Sequence, residues 1–242
     1  MSEAADALER WDLLRAATPA RIGRRRAGGS ATTADRLAFL LDHARARDAV
    51  AQPFDSAWLA QRLATTGLPV VEVSSQARTG AEHLLRPDAG RRLADPTAFA
   101  TAAVSPTDIV IIVSDGLSAG AAHDHAPAVV DALVPALVAH GWSVGPLVVV
   151  THGRVAIGDV LGAIVGARHS LVLIGERPGL SAPRSLGAYL TAGPQPGRTD
   201  AERSCVSNIR PDGLPPADAA QQLVAMLAGG ATGLALPPSE RS

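Results

Sequence analysis

From residue 107 onward the chain alternates between unbroken apolar runs and amphipathic stretches. TDIVIIVSDG (107–116), GPLVVVTHG (145–153) and SLVLIGERPG (170–179) are rich in β-branched residues, as expected of strands buried on both faces. Between them the apolar positions recur at helical spacing, over about 125–140, closed by His140 and Gly141, and over about 157–167. Strand, helix, strand, helix, strand at this spacing predicts two βαβ units and a parallel sheet. Upstream, LPVVEVSS (68–75) alternates like a half-exposed strand. Helical periodicity covers about 4–17, 34–50 and 55–65, with Thr32 and Thr33 as candidate caps for the second. Leu37, Leu40, Leu41 and Ala44 form the apolar stripe of that helix. A proline- and glycine-rich loop follows residue 179, and PPADAAQQLVAMLAGG (215–230) closes the chain as a helix. The predicted architecture is α/β: a doubly wound, Rossmann-like parallel sheet over 68–242 with an N-terminal helical segment over 1–67.

A length of 242 residues suffices for a substantial core without staples. A formal net charge of −1 and 3% aromatic content argue against a chain built chiefly to grip nucleic acid. There is no lysine, so all 22 basic residues are arginine, and neither a Schiff-base lysine nor a P-loop lysine is available. One cysteine, Cys205, excludes a disulfide framework within the chain and fits a reducing compartment. The first residues are acidic and helical in pattern, unlike a signal peptide, and no apolar run reaches membrane-spanning length.

In open parallel sheets, ligands bind beyond the carboxyl ends of the strands. Those ends carry SDGLSAG (114–120), THGRVAIGD (151–159) and GERPGLS (175–181), which should meet on one rim. No GxGxxG opens a helix after a strand, which disfavours a stand-alone dinucleotide-dependent oxidoreductase. Gly158, Gly162 and Gly166 share one helix face and read as close helix–sheet packing. His123, Asp124 and His125 read as a solvated helix start rather than a metal site. Asp115 reads as a turn carboxylate capping the next helix, with no histidine placed beside it or Ser114 by sequence. Cys205 reads as a small core residue. Glu176 and Arg177 have two readings: they tie the turn to its own backbone, or Glu176 accepts hydrogen bonds from the amides of a ligand. Two basic connectors, RIGRRRAGGS (21–30) and RPDAGRRLADP (86–96), are either solvated loops or arms for an anion or a partner chain.

Taken in order, RIGRRRAGGSATTADRLAFLLDHARARDAV, HLLRPDAGRRL, VSDGLSAG, GRVAIGDVLGAIVGA, LIGERPGLSAPRSLGAYLT and GRTDAERSCVSNI resemble the small subunit of ethanolamine ammonia-lyase. The resemblance implies an adenosylcobalamin enzyme that converts ethanolamine to acetaldehyde and ammonia. It further implies a TIM-barrel large subunit that does the radical chemistry and a small subunit that closes over the cofactor in a hetero-oligomer. Carried onto this chain, the cofactor-contacting positions are Val155, Glu176 and Cys205, with no catalytic residue of its own. The DxHxxG signature of cobalamin-dependent mutases is absent, consistent with a cofactor that keeps its own lower ligand. The implied setting is the cytoplasm or a bacterial microcompartment, and the implied partners include neither nucleic acid nor membrane. Helix 34–50 and the arginines at 21–26 and 91–92 are expected to face the large subunit or neighbouring copies. A purely structural partner that shapes the large subunit without touching cofactor is the other reading.

Overall fold

Alternation inside the apolar runs separates two cores, one on each face of a single sheet. In the computed structural model, which describes residues 3–18, 20–22, 26–27, 30–97, 99 and 106–229, that sheet has six strands. They are β3 (Val70–Ser74), β4 (Ile109–Ser114), β5 (Val144–Thr151), β6 (His169–Gly175), β7 (Leu186–Ala192) and β8 (Arg203–Ile209), in the order β3-β5-β4-β6-β7-β8. The first four run parallel; β7 and β8 are antiparallel to their neighbours. Ile109, Ile111 and Val113 of β4 point to one core with Leu147, Val149, Leu171 and Leu173. Val110 and Ile112 point to the other with Val148, Val150, Val172 and Ile174. Every residue of β4 is buried, which is why it reads as a continuous apolar run.

Helices among the described residues include α1 (Glu3–Ala16), α2 (Thr33–Ala51), α3 (Ser56–Ala64), α4 (Gly80–Leu85), α5 (Ala119–Ala139), α6 (Ile157–Val165) and α7 (Pro216–Gly229). Helices α3, α5 and α7 cover the first core through Leu59, Leu63, Val129, Leu133 and Leu223. Helix α6 covers the second through Ile157, Leu161 and Val165. A Cβ on Gly158 would lie 2.4 Å from Val172 Cγ2, and one on Gly162 would lie 2.4 Å from Pro194 Cγ, so close packing does require these glycines. Gly166 serves differently, as a left-handed C-cap. No described helix is long and apolar enough to cross a membrane.

Several local expectations need correction. The stretch read as a loop after residue 179 contains β7 and β8, a meander that extends the sheet. β8 breaks the apolar pattern because its exposed residues, Cys205, Ser207 and Asn208, are polar or small and its only buried hydrophobic residues are Val206 and Ile209. Helix α5 begins at Ala119, not near 125, because Ser118 caps it by accepting from Ala121 N at 3.4 Å. The run Ala119–Ala122 is buried all round and carries no polar periodicity to mark it. Thr32 caps α2 as expected, accepting from Asp35 N at 3.2 Å. Its leucine stripe, however, is open: Leu37, Leu40 and Leu41 are at least half exposed. Of the basic connector, residues 23–25 and 28–29 lie outside the described residues, as do 230–242. Arg21 pairs with Asp42 of α2 and lies over the Phe39 ring, 5.6 Å from its centroid. Arg26–Ala27 and Ser30–Ala31 form a short antiparallel ribbon, β1–β2.

Candidate functional site

Three loops leave the carboxyl ends of β4, β5 and β6, and Asp115 binds the first two together. Its Oδ1 accepts from Ser114 Oγ at 3.0 Å, Gly116 N at 3.0 Å and His152 N at 2.8 Å, and its Oδ2 lies 2.9 Å from His152 Nδ1. Asp115 therefore caps no helix; it is a hub, and a histidine does stand beside it. His152 has φ 59°, a left-handed conformation uncommon for a non-glycine residue, held there by the hub and by Ser75 Oγ donating to its carbonyl at 2.7 Å. Ser114 donates to Asp115 and accepts from Gly153 N at 3.0 Å. A serine that gives its proton to the carboxylate rather than to the imidazole is not wired as a nucleophile.

His83 of α4 stacks on His152 with ring centroids 5.5 Å apart, and its Nε2 lies 2.8 Å from Gly116 O. The two imidazoles are driven in opposite directions. Hydrogen bonding to Asp115 raises the pKa of His152 above its ordinary 6.5. Burial, reinforced by the Arg154 charge, lowers that of His83. The stabilisation from His152 is therefore complete below about pH 6.5 and is lost as pH rises through its raised value. That from neutral His83 is present above about pH 6.5 and is lost as pH falls through its lowered value. Imidazole resonances followed by NMR should titrate on either side of the ordinary value. In Asp115→Asn both should move down, His152 the more, because it loses a hydrogen bond as well as a charge. Midpoints that coincide in the native chain would contradict this.

The third loop locks onto the first. Leu117 N donates to Gly175 O at 2.9 Å, and Glu176 N donates to Ser185 O at 2.9 Å as the β6–β7 hairpin begins. Glu176 Oε2 accepts from Asn208 N on β8 at 3.2 Å; Oε1 has no partner among the described residues. The turn is thus tied to its own fold through one oxygen of Glu176, and the other remains available. Arg177 is exposed and has no carboxylate partner among the described residues.

A cavity of about 500 Å³ opens where these loops meet, lined by Gly116, Leu117, Arg154, Val155, Ile174, Gly175, Glu176, Arg177 and Tyr189. Val155 and Glu176 therefore share one cavity. Cys205 is not in its lining, but it is cross-strand partner to Tyr189, which is. Burial pushes the Tyr189 phenol up to about 12, with the neighbouring Cys205 adding to the effect. Cys205 is not a core residue: it is exposed, although contact with the strand face still raises its thiol pKa, with Glu176 adding to the effect. Gly187 completes the group, since a Cβ there would lie 3.0 Å from Tyr189 Cε2 and 3.1 Å from Glu176 Oε1. Tyr189 and Gly187 were not singled out from sequence; the one available signal is that Tyr189 is the only tyrosine in the chain.

Among the described residues the His123–His125 stretch gathers no metal set, and it lies inside α5 with His125 buried rather than at a solvated helix start. His123 stacks on Phe54, Asp124 pairs with Arg184, and His125 is buried against Arg184 O. Asp159 makes a bidentate pair with Arg203 at 2.7 Å for both bonds.

A family model described as ethanolamine ammonia-lyase light chain (EutC) matches residues 8–236, from within α1 past the end of α7. The chain belongs to the ethanolamine ammonia-lyase light-chain family. Proteins named ethanolamine ammonia-lyase small subunit are similar across most of its length. The one from Rhodopseudomonas palustris is 53% identical over 209 residues, covering 86% of this chain and 80% of the relative. Those from Bradyrhizobium diazoefficiens and Azotobacter vinelandii are 50% and 46% identical over 92% and 94% of this chain, and 88% and 86% of theirs. The light-chain match spans all six strands of the main sheet, and so all three loops of the candidate site.

Proposed function

We propose that this chain is the small subunit of an adenosylcobalamin-dependent ethanolamine ammonia-lyase. In this reading it holds one side of the cofactor, and a TIM-barrel large subunit holds ethanolamine; the product pair is acetaldehyde and ammonia. Val155, Glu176 and Cys205 are the proposed cofactor contacts. The observation that carries the reading is the half-committed carboxylate of Glu176 in the cavity where Val155 also lies. Cobalamin bears amide side arms whose N–H groups need acceptors, and an ionised carboxylate with a spare oxygen is a strong one. Val155 supplies an apolar wall, and Cys205 with Tyr189 a small polarizable surface beside it. When bound, the cofactor supplies the cobalt–carbon bond from which the radical chemistry starts. The chain's own share is to bind, orient and keep out water. Consistent with that division, the Asp115–His152 pair is spent on holding its own loops.

The open leucine stripe of α2 supports a contact with the large subunit, because a contiguous apolar face on a soluble protein marks an interaction surface. The proposed setting is the bacterial cytoplasm or a microcompartment within it.

The test uses the assembled enzyme. Glu176→Ala should weaken cobalamin binding by about 1.5–3 kcal/mol, about a 10- to 150-fold rise in dissociation constant read from corrinoid absorption. Unchanged affinity in a correctly assembled complex would leave the purely structural role. The isolated chain should show no lyase activity, and activity from it alone would overturn the reading.

A further inference from the structure

Most described arginines on this molecule are matched by a carboxylate: Arg62 by Asp131, Arg168 by Asp108, Arg184 by Asp124, Arg203 by Asp159. The rim of the cavity is one of several places where that match is missing. Arg154 and Arg177 both line it, and neither has a carboxylate partner among the described residues. Arg154 spends Nη2 on His83 O at 2.8 Å, while its Nε is buried with no hydrogen-bond partner. Its backbone N donates to Gly90 O at 2.8 Å, which docks the 86–96 connector, and so Arg91, beneath it. Burial and then the charges of Arg91 and Arg177 lower the pKa of Arg154; the opposing charge is Asp115, whose oxygens are already taken by His152, Ser114 and Gly116.

Helix α6 starts at the same place. Its N-cap, Ala156, offers no side-chain acceptor, and the N–H groups of Val155 and Ala156 donate to no acceptor among the described residues. Clustered guanidiniums and an uncapped helix start are each unfavourable on their own and are relieved together by one ligand chemistry, an anion with several acceptor oxygens. Glu176 is the one carboxylate in the lining, and it is not among the charges that act on Arg154.

We propose that Arg154 and Arg177, backed by Arg91 and the start of α6, form a subsite for a phosphate-type anion in this cavity, beside the amide-receiving Glu176. Two sources share that chemistry: the phosphodiester in the nucleotide loop of cobalamin, and free phosphate. The first rests on the cofactor reading; the second does not.

The experiment uses the complex of both chains without cofactor, in native form and as Arg177→Gln, Arg154→Gln and Glu176→Gln. Each is titrated with adenosylcobalamin, with adenosylcobinamide, which keeps the corrin and its amides but lacks the phosphodiester, and with inorganic phosphate. For the cofactor source, Arg177→Gln weakens adenosylcobalamin about tenfold and leaves adenosylcobinamide within about twofold. For the free ion, phosphate binds the native complex and not the arginine variants, and both corrinoids are unaffected. The proposal is overturned if phosphate fails to bind and the arginine variants change both corrinoids equally or neither. It is also overturned if Arg177→Gln only releases the large subunit. Glu176→Gln separates the two readings, because it should weaken both corrinoids; if it weakens neither, the Glu176 contact fails while the anion subsite is judged on its own arms. Arg177, being exposed, keeps the test valid should Arg154→Gln not fold.

Discussion

Replacing Arg203 by methionine is expected to cost about 3–5 kcal/mol of stability, the scale for orphaning one member of a buried ion pair. The side chains of Arg203 and Asp159 are 2% and 1% exposed, and they meet through two bonds of 2.7 Å. Arg203 also donates to Thr191 Oγ1 at 3.0 Å and Arg198 O at 3.1 Å. The guanidinium thereby joins the first turn of α6 to β7 and β8, two residues before Cys205. Without it, Asp159 is a buried carboxylate with no counter-charge. Urea denaturation should show the midpoint falling sharply in Arg203→Met. Changing both members, Arg203→Met with Asp159→Leu, should recover much of the loss, because no charge is then left unpaired. A double variant as unstable as the single one would mean that packing around the pair, not the charge, sets the cost.

Gly175→Ala is the second large effect. A Cβ at this end of β6 would lie 2.1 Å from Ser118 O and 2.4 Å from Asp115 O, both main-chain atoms that no rotamer change can move. The opposing turn is equally constrained, since Gly116 has φ 53° and a Cβ there would meet Gly175 O at 2.4 Å. The expected cost is about 3 kcal/mol, at the upper end for over-packing. Displacing this contact also moves Glu176, so cobalamin affinity of the assembled complex should fall with the melting temperature. Gly80→Ala is the control: the nearest atom to its added Cβ is His152 Cε1 at 4.0 Å, and little change is expected. If Gly175→Ala melts like Gly80→Ala, the β4–β6 crevice is looser than the contacts imply.

The parallel half of the sheet was legible because burial on both faces forces an uninterrupted apolar pattern, and β4, β5 and β6 carry it. The antiparallel half was not. β8 keeps only Val206 and Ile209 fully inside, and β7 is punctuated by Gly187 and flanked by prolines, so neither shows a full run. Of the candidate site, the three strand ends follow from topology alone, and the proposed contacts Val155, Glu176 and Cys205 from resemblance. What escaped notice depends on non-local pairing. Asp115 and His152 are 37 residues apart, Asp159 and Arg203 are 44 apart, and nothing in local spacing joins them. Cys205 was misread as core because a small apolar residue looks the same on either face of an edge strand.

Cys205 is the chain's single thiol, and it stands exposed on β8 next to Tyr189. A nitroxide or fluorophore introduced through sulfur therefore lands at one known point beside the cavity, with no engineered cysteine and no background to remove. Its raised pKa means that such labelling calls for mildly alkaline solution, where more of the sulfur is thiolate.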